Sequence, residues 1–206
     1  MPKNNSINNT AELNRRRDLL FDAFSVESNR GVVLVAASFI DHALELLLRA
    51  RFSSSSSKPK KAIDPLFKNF GPLATFSAKI KICYAIDLLQ DWLYRDLEII
   101  RKLRNSFAHN TELLLFDDPQ VAAFTTRLKG ADHSVTAMSK HRESNKKSSK
   151  KQKKAASSKS GPISRERLRF DITVSYIGAL LYSKVVVQNS DASDEFKALF
   201  MASRKL

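Results

Sequence analysis

Cysteine is almost missing: Cys83 stands alone in 206 residues. No internal disulfide framework can form, and the usage fits a reducing compartment. Cys83 lies in an apolar helical stretch, so it reads as a small core residue rather than a reactive thiol. Glycine and proline are also scarce, at five and six residues. That argues against a turn-rich β protein and against a glycine-rich phosphate loop. The longest apolar run, Gly31 to Ile40, is broken by Asp41 and His42 and is too short for a membrane span. The first ten residues are polar, without the apolar stretch of a signal peptide. These features together predict a soluble, cytoplasmic protein with no membrane contact. No Ser/His/Asp order, Walker loop, dinucleotide fingerprint, paired Cys-x-x-Cys or helix-turn-helix pattern is present.

What is abundant is positive charge, a net of +14. Residues 140–169 hold 12 Lys/Arg and 2 acids, a net of +10, which leaves +4 for the rest. The basicity therefore belongs to a segment, not to the whole fold. Lys146, Lys147, Lys150, Lys151, Lys153 and Lys154 form its centre. They have no aromatic side chains between them on which bases could stack. The segment either adds salt-sensitive, sequence-blind affinity for nucleic acid or is a solvated linker.

The apolar periodicity predicts an all-α protein: a single bundle of six to seven helices with a disordered Lys/Ser-rich insert before the C-terminal helix. Residues 1–10 are expected to be disordered, 11–130 and 163–206 to form one domain, and 131–162 to be the disordered basic insert. Helices are predicted at Ala11–Val26 with Thr10 as N-cap, at about Asn29–Phe52, from Thr75 to Leu89, and from Asp91 to Ala108. Others follow from Asp118-Pro119 to near Gly130, from Ser164 to Gln188, and over Asp191–Ser203. The second helix is apolar nearly all round, as a central bundle helix would be, with one polar line of Ser38, Asp41, His42, Glu45 and Arg49.

The segment Asp96-Leu-Glu-Ile-Ile-Arg-Lys-Leu-Arg-Asn-Ser-Phe-Ala-His109 places a cation on an apolar stripe. At about 100° per residue, Leu93, Leu97, Ile100 and Phe107 share a face, and Arg104 falls among them. A guanidinium keeps its charge at ordinary pH, so burying one demands a bonded partner. Arg104 is thus expected either to pair with Asp41 or Glu45 in a structural polar network, or to face a groove or a second subunit. In the second case Arg104, Asn105 and His109 could serve RNA cleavage by 2′-hydroxyl attack. His109 would move protons, Arg104 would stabilise the phosphorane and Asn105 would orient the phosphate. That chemistry needs the helix to stop at or before His109, because five residues of helix set Arg104 and His109 about 140° apart. Asp41, His42 and Glu45 lack a second clustered histidine, so neither a metal nor another cofactor is implied.

Four blocks resemble the mannitol operon repressor family: Gly31-Val-Val-Leu-Val-Ala-Ala-Ser-Phe-Ile-Asp-His-Ala-Leu-Glu-Leu-Leu-Leu, Gly71-Pro-Leu-Ala-Thr-Phe-Ser-Ala-Lys-Ile-Lys-Ile, the Asp96–His109 segment, and Phe116-Asp-Asp-Pro119. The resemblance covers about residues 20–130. It implies an all-helical, dimeric, non-enzymatic regulator that lacks an ordinary DNA-binding module and controls transcription through a protein partner. The Arg-Asn-x4-His arrangement also resembles the HEPN superfamily, which includes metal-independent ribonucleases working as dimers. That second resemblance implies catalytic roles for Arg104, Asn105 and His109.

Overall fold

The computed structural model describes residues 5–55, 60–111, 113–145 and 163–188, and these are all helix or connection, with no strand among them. In chain order the helices are α1 (Asn5–Ser25), α2 (Asn29–Ser55), a 3-10 turn (Lys60–Ala62), α3 (Asp64–Phe67), α4 (Phe76–Ala85), α5 (Asp91–His109), α6 (Pro119–Thr125), α7 (Gly130–Asn145) and α8 (Arg165–Gln188). Helices α2 and α8 pack on each other at the centre. Helix α1 covers α8, α5 and α4 cover α2, and α7 lies along α8.

Helix α2 is central because its sequence is apolar on nearly every side, with a single polar line from Ser38 to Arg49. Val32, Val33, Ala36, Ile40, Ala43, Leu44, Leu47 and Leu48 are all buried. By length and composition it could cross a membrane, with a mean hydropathy of 1.8 over its most apolar window. Here most of that window is buried, against α4, α5 and α8. Helix α8 contributes Phe170, Val174, Ile177, Leu181 and Val185, spaced three or four apart and buried. The β-branched run at 185–187 does not interrupt it. Gly178 lets α8 come close to α1 and α2: a Cβ there would stand 2.7 Å from Leu20 Cδ1 and 3.0 Å from Phe39 Cε1.

Several expected boundaries move. Helix α1 starts at Asn5 rather than Ala11, so Thr10 lies inside it instead of capping it, and residues 5–10 are helical rather than disordered. Helix α4 does start after Thr75, whose Oγ1 accepts a hydrogen bond from Ala78 N at 3.2 Å. It stops at Ala85, short of Leu89, because Asp87 takes a left-handed conformation with φ of 60°. Asp118 does not cap α6 with its side chain. Its Oδ2 instead accepts from Leu115 N at 2.7 Å, closing the turn before the helix.

The largest correction is α7. Residues 131–145 were expected to belong to a disordered insert, yet Gly130–Asn145 is helical. The reason is tertiary. Asp96, from α5, accepts hydrogen bonds from Lys129 N and Gly130 N at 2.9 and 2.7 Å, so a carboxylate distant in sequence caps this helix. Ala131 N donates to Thr173 Oγ1 of α8 at 3.1 Å. Gly130 is needed here, because a Cβ would come 2.8 Å from Thr173 Cγ2. The predicted helix at Asp191–Ser203 and the lysines at 146–154 lie outside the described residues.

Candidate functional site: a polar pocket at the meeting of three helices

Helix α5 buries Leu93, Asp96, Leu97, Ile99, Ile100, Leu103 and Phe107. Arg104 is exposed, which corrects the expectation of a sequestered guanidinium paired with Asp41 or Glu45. By angle it falls on the buried stripe, but near the helix end, where a long stem can carry the charged head to water. Its hydrogen bond goes to Asn105 Oδ1 at 3.2 Å. Among the described residues, Arg104 has no ion pair.

The cation that Asp41 and Glu45 hold is Lys79, on α4. Its Nζ lies 3.0 Å from Asp41 Oδ1 and 3.1 Å from Glu45 Oε2, and its side chain is only 5% exposed. Glu45 also accepts from Arg49 Nε at 2.9 Å, and Arg49 Nη1 reaches Asp64 Oδ1 at 2.6 Å. Arg49 covers the Phe67 ring at 4.4 Å. The polar line of α2 is therefore real, but its partners are Lys79 and Asp64. Burial pushes the Glu45 carboxyl up, and bonds from Arg49 and Lys79 outweigh it, leaving the group below its ordinary range. Lys79 was missed because Lys79 and Lys81 look alike in sequence. Only the burial of Ile80 and Cys83 beside Lys79 shows which way that face turns.

Helix α5 runs unbroken through His109. Arg104 and His109 therefore stay about 140° apart on one helix. His109 is exposed in the last turn, where a donor or cation suits the helix dipole. Arg30 Nη2 donates to Asn110 O at 2.6 Å and ties down that end. Asp41 and Glu45 share Lys79 while His42 is exposed, and no group of three or more His, Cys, Asp or Glu among the described residues could hold a metal.

Three further buried charges, Asp96, Arg167 and Asp171, were not singled out from the sequence. Asp96, fully buried, caps α7, and burial raises its pKa against the backbone donors that lower it. Asp171 accepts from Arg167 Nε at 2.8 Å, while Arg167 Nη2 donates to Phe24 O and Glu27 O at 2.9 and 3.0 Å. Burial pushes the Asp171 carboxyl up to about 6 although Arg167 pulls it down. Asp96 was legible on the helical wheel of α5, between Leu103 and Phe107. Arg167 and Asp171 carried an i,i+4 signal.

Among the described residues, surface cavities adjoin α5 on two sides. The larger, of about 820 Å³, runs along the α6–α7 side. There Trp92 is stacked at 4.1 Å on His133, and Arg95, Lys102, Arg127 and Lys129 share the wall with Asp91, Asp96 and Glu98. The smaller, of about 380 Å³, lies where α2, the start of α4 and the end of α5 converge. Ser38 and Asp41 come from α2, Thr75, Phe76 and Ser77 from the α4 start, and Arg101, Arg104 and Asn105 from α5. The structure thus brings Asp41, Arg104 and Asn105 to one pocket and leaves Glu45 in the Lys79 network.

The fold and this pocket define an all-helical bundle with a polar cavity built from three separate motif-bearing segments. The mannitol repressor family model matches residues 18–173, and the chain belongs to that family. It is 26% identical over 92 residues to the mannitol operon repressor of Escherichia coli K12, covering 45% of this chain and 47% of that one. The same figures hold for the repressor of E. coli O6:H1. The chain spans about half the length of the curated relatives it matches. Among solved structures, the MtlR-HPr complex from Escherichia coli aligns with a TM-score of 0.52 at 20% identity, over 85% of this chain and 98% of that one. A possible transcriptional regulator, YggD from Shigella flexneri, aligns with a TM-score of 0.51 at 14% identity, over 82% and 94%. At these identities the structural likeness establishes the fold.

Proposed function

We propose that the chain is a non-enzymatic transcription regulator of the mannitol repressor type, acting through protein–protein contacts in the cytoplasm. The observation that carries this reading is the family match over residues 18–173. The neighbour crystallised with HPr makes HPr the first partner to test. The polar side chains of the chain's centre are also engaged with each other: Lys79 with Asp41 and Glu45, Asp96 with α7, Arg167 with Asp171. The test is a calorimetric titration of the purified full chain with HPr. Saturable binding supports contact with that partner, and no heat together with no co-purifying protein from its own host overturns the protein-contact mechanism.

The second reading, a HEPN-like metal-independent ribonuclease, is favoured by the exposure of Arg104 and His109. It is opposed by the continuity of α5, which keeps the two apart within one chain. RNA digestion in EDTA separates the readings: cleavage that vanishes in His109→Ala would make the chain an enzyme. We further propose a homodimer, as the family resemblance implies; Phe70 and Leu113 are widely exposed apolar side chains available for contact. Sedimentation equilibrium tests it, and a monomer at tens of micromolar refutes it. Nucleic-acid binding through residues 140–169 is tested by deleting 140–160 and measuring DNA affinity against salt. Affinity that survives the deletion removes that role.

A further inference from the structure

The geometry points to the pocket of about 380 Å³ between α2, α4 and α5 as a binding site for a small polyhydroxylated ligand, a hexitol either free or phosphorylated. This rests on the regulator reading above, and it assigns that regulator its effector site.

Three observations converge on it. First, three of the four sequence blocks that resemble the family meet at this one cavity: Ser38 and Asp41 from the first, Thr75 to Ser77 from the second, Arg104 and Asn105 from the third. Segments far apart in the chain contribute polar groups to a common space that the bundle does not fill. Its size falls within the roughly 300–1,000 Å³ typical of small-ligand pockets.

Second, the donors and acceptors suit hydroxyl groups. Three hydroxyls (Ser38, Thr75, Ser77) can each donate and accept, Asn105 does both, Asp41 accepts and Arg104 donates. Thr75 Oγ1 already accepts from Ala78 N, which leaves its O–H free to donate. Phe76 adds an apolar wall for the C–H face of a sugar alcohol. Asp41 shares its charge with Lys79 at 3.0 Å, and Arg101 is tied to Glu98 at 2.9 Å. The hydroxyl and amide groups suit a ligand rich in hydroxyls, and a phosphate on one end of it would be met by Arg104.

Third, one charged group in the pocket is left without a counter-ion. Arg104, among the described residues, is bonded only to the neighbouring Asn105. It is exposed, so its guanidinium can meet a ligand entering from solvent.

The experiment is calorimetric titration of the full chain with mannitol, mannitol 1-phosphate, inorganic phosphate and glycine, each against wild type, Arg104→Ala, Asn105→Ala and Lys102→Ala. Lys102 lines the other cavity and serves as the control. Arg104 is exposed, so its truncation leaves the fold intact, and melting temperatures check that. The expected result is saturable binding of one or both hexitols, weakened at least tenfold by Arg104→Ala and Asn105→Ala and unchanged by Lys102→Ala. Preference for mannitol identifies the free polyol, and preference for the phosphate ester identifies the phosphorylated one. Binding of inorganic phosphate or glycine alone, binding indifferent to Arg104 and Asn105, or no hexitol binding overturns the proposal. Repression measured in parallel without any hexitol keeps the outcomes apart. A chain that represses but binds no hexitol loses its effector site and keeps its regulatory role.

Discussion

Replacing Lys79 by methionine removes the cation that Asp41 and Glu45 share while keeping the volume of the side chain. Lys79 is only 5% exposed, so solvent cannot take over its role for the two carboxylates. Breaking a buried ion pair by deleting one partner costs about 3–5 kcal/mol. Two features pull the figure toward the lower end: Glu45 keeps Arg49 at 2.9 Å, and the Asp41 side chain is 31% exposed. A loss of about 3 kcal/mol is expected, and at roughly 2–4 °C per kcal/mol for a chain of this size the midpoint should fall by about 6–12 °C. The assay is thermal and urea unfolding followed by far-ultraviolet circular dichroism, with Arg104→Met in parallel. Because Arg104 is exposed, its variant should stay within about 0.5 kcal/mol of wild type. Adding Asp41→Asn to Lys79→Met should recover part of the loss, since the stranded charge is then gone. The reasoning is refuted if Arg104→Met costs as much as Lys79→Met, or if Lys79→Met is neutral.

Asp96→Ala should melt α7 selectively. It strips Lys129 N and Gly130 N of their acceptor, at about 1–3 kcal/mol for buried donors left unsatisfied, and hydrogen exchange should speed up over residues 130–139 before the rest of the bundle. Uniform protection throughout would contradict the capping role. For pH, burial raises Asp171 from its ordinary 3.8 to about 6. The folded chain then holds this proton more tightly than the unfolded one. The stability this group adds is fully present below about pH 4 and is lost as pH rises through 6. Melting temperatures between pH 4 and 7 should show that decline in wild type and a shallower one in Asp171→Asn, where Asp96 alone still raises its proton affinity on folding; parallel curves would reject it. Cys83 is buried with its thiol pushed up to about 12, so a thiol reagent at pH 8 should label it only after denaturation, and prompt labelling of the native chain would place it at the surface.

Much of the fold could be read from sequence because α2 and α8 declare themselves: apolar residues on nearly every side leave no position except the centre of a bundle. The four blocks carried the family. What failed did so where an element's state is decided by another element. Helix α7 has a polar sequence and little of its own to start it. Its first turn is held by Asp96, 33 residues before Lys129. Arg104 falls on the apolar stripe of α5 by angle, but an angle says nothing about which neighbours extend that far along the helix. Lys79 reads as a surface residue until α4 is laid against α2. Of the candidate site, Asp41, Arg104 and Asn105 were named from sequence, with Arg104 either paired to Asp41 or Glu45 or facing a groove; it shares a cavity with Asp41 and Asn105, and no salt bridge joins it to Asp41. Ser38 was visible only as part of the polar line of α2, and Ser77 only inside a block, because short hydroxyl side chains carry no signal of what they face.

The most direct test of the regulatory role is transcript abundance for mannitol-utilisation genes in the chain's own host, with the gene for this chain intact, deleted and restored. The expected result is higher transcript levels on deletion, returned to the starting level by wild type and equally by His109→Ala. Transcripts that do not respond to deletion, or that respond only through His109, would contradict it.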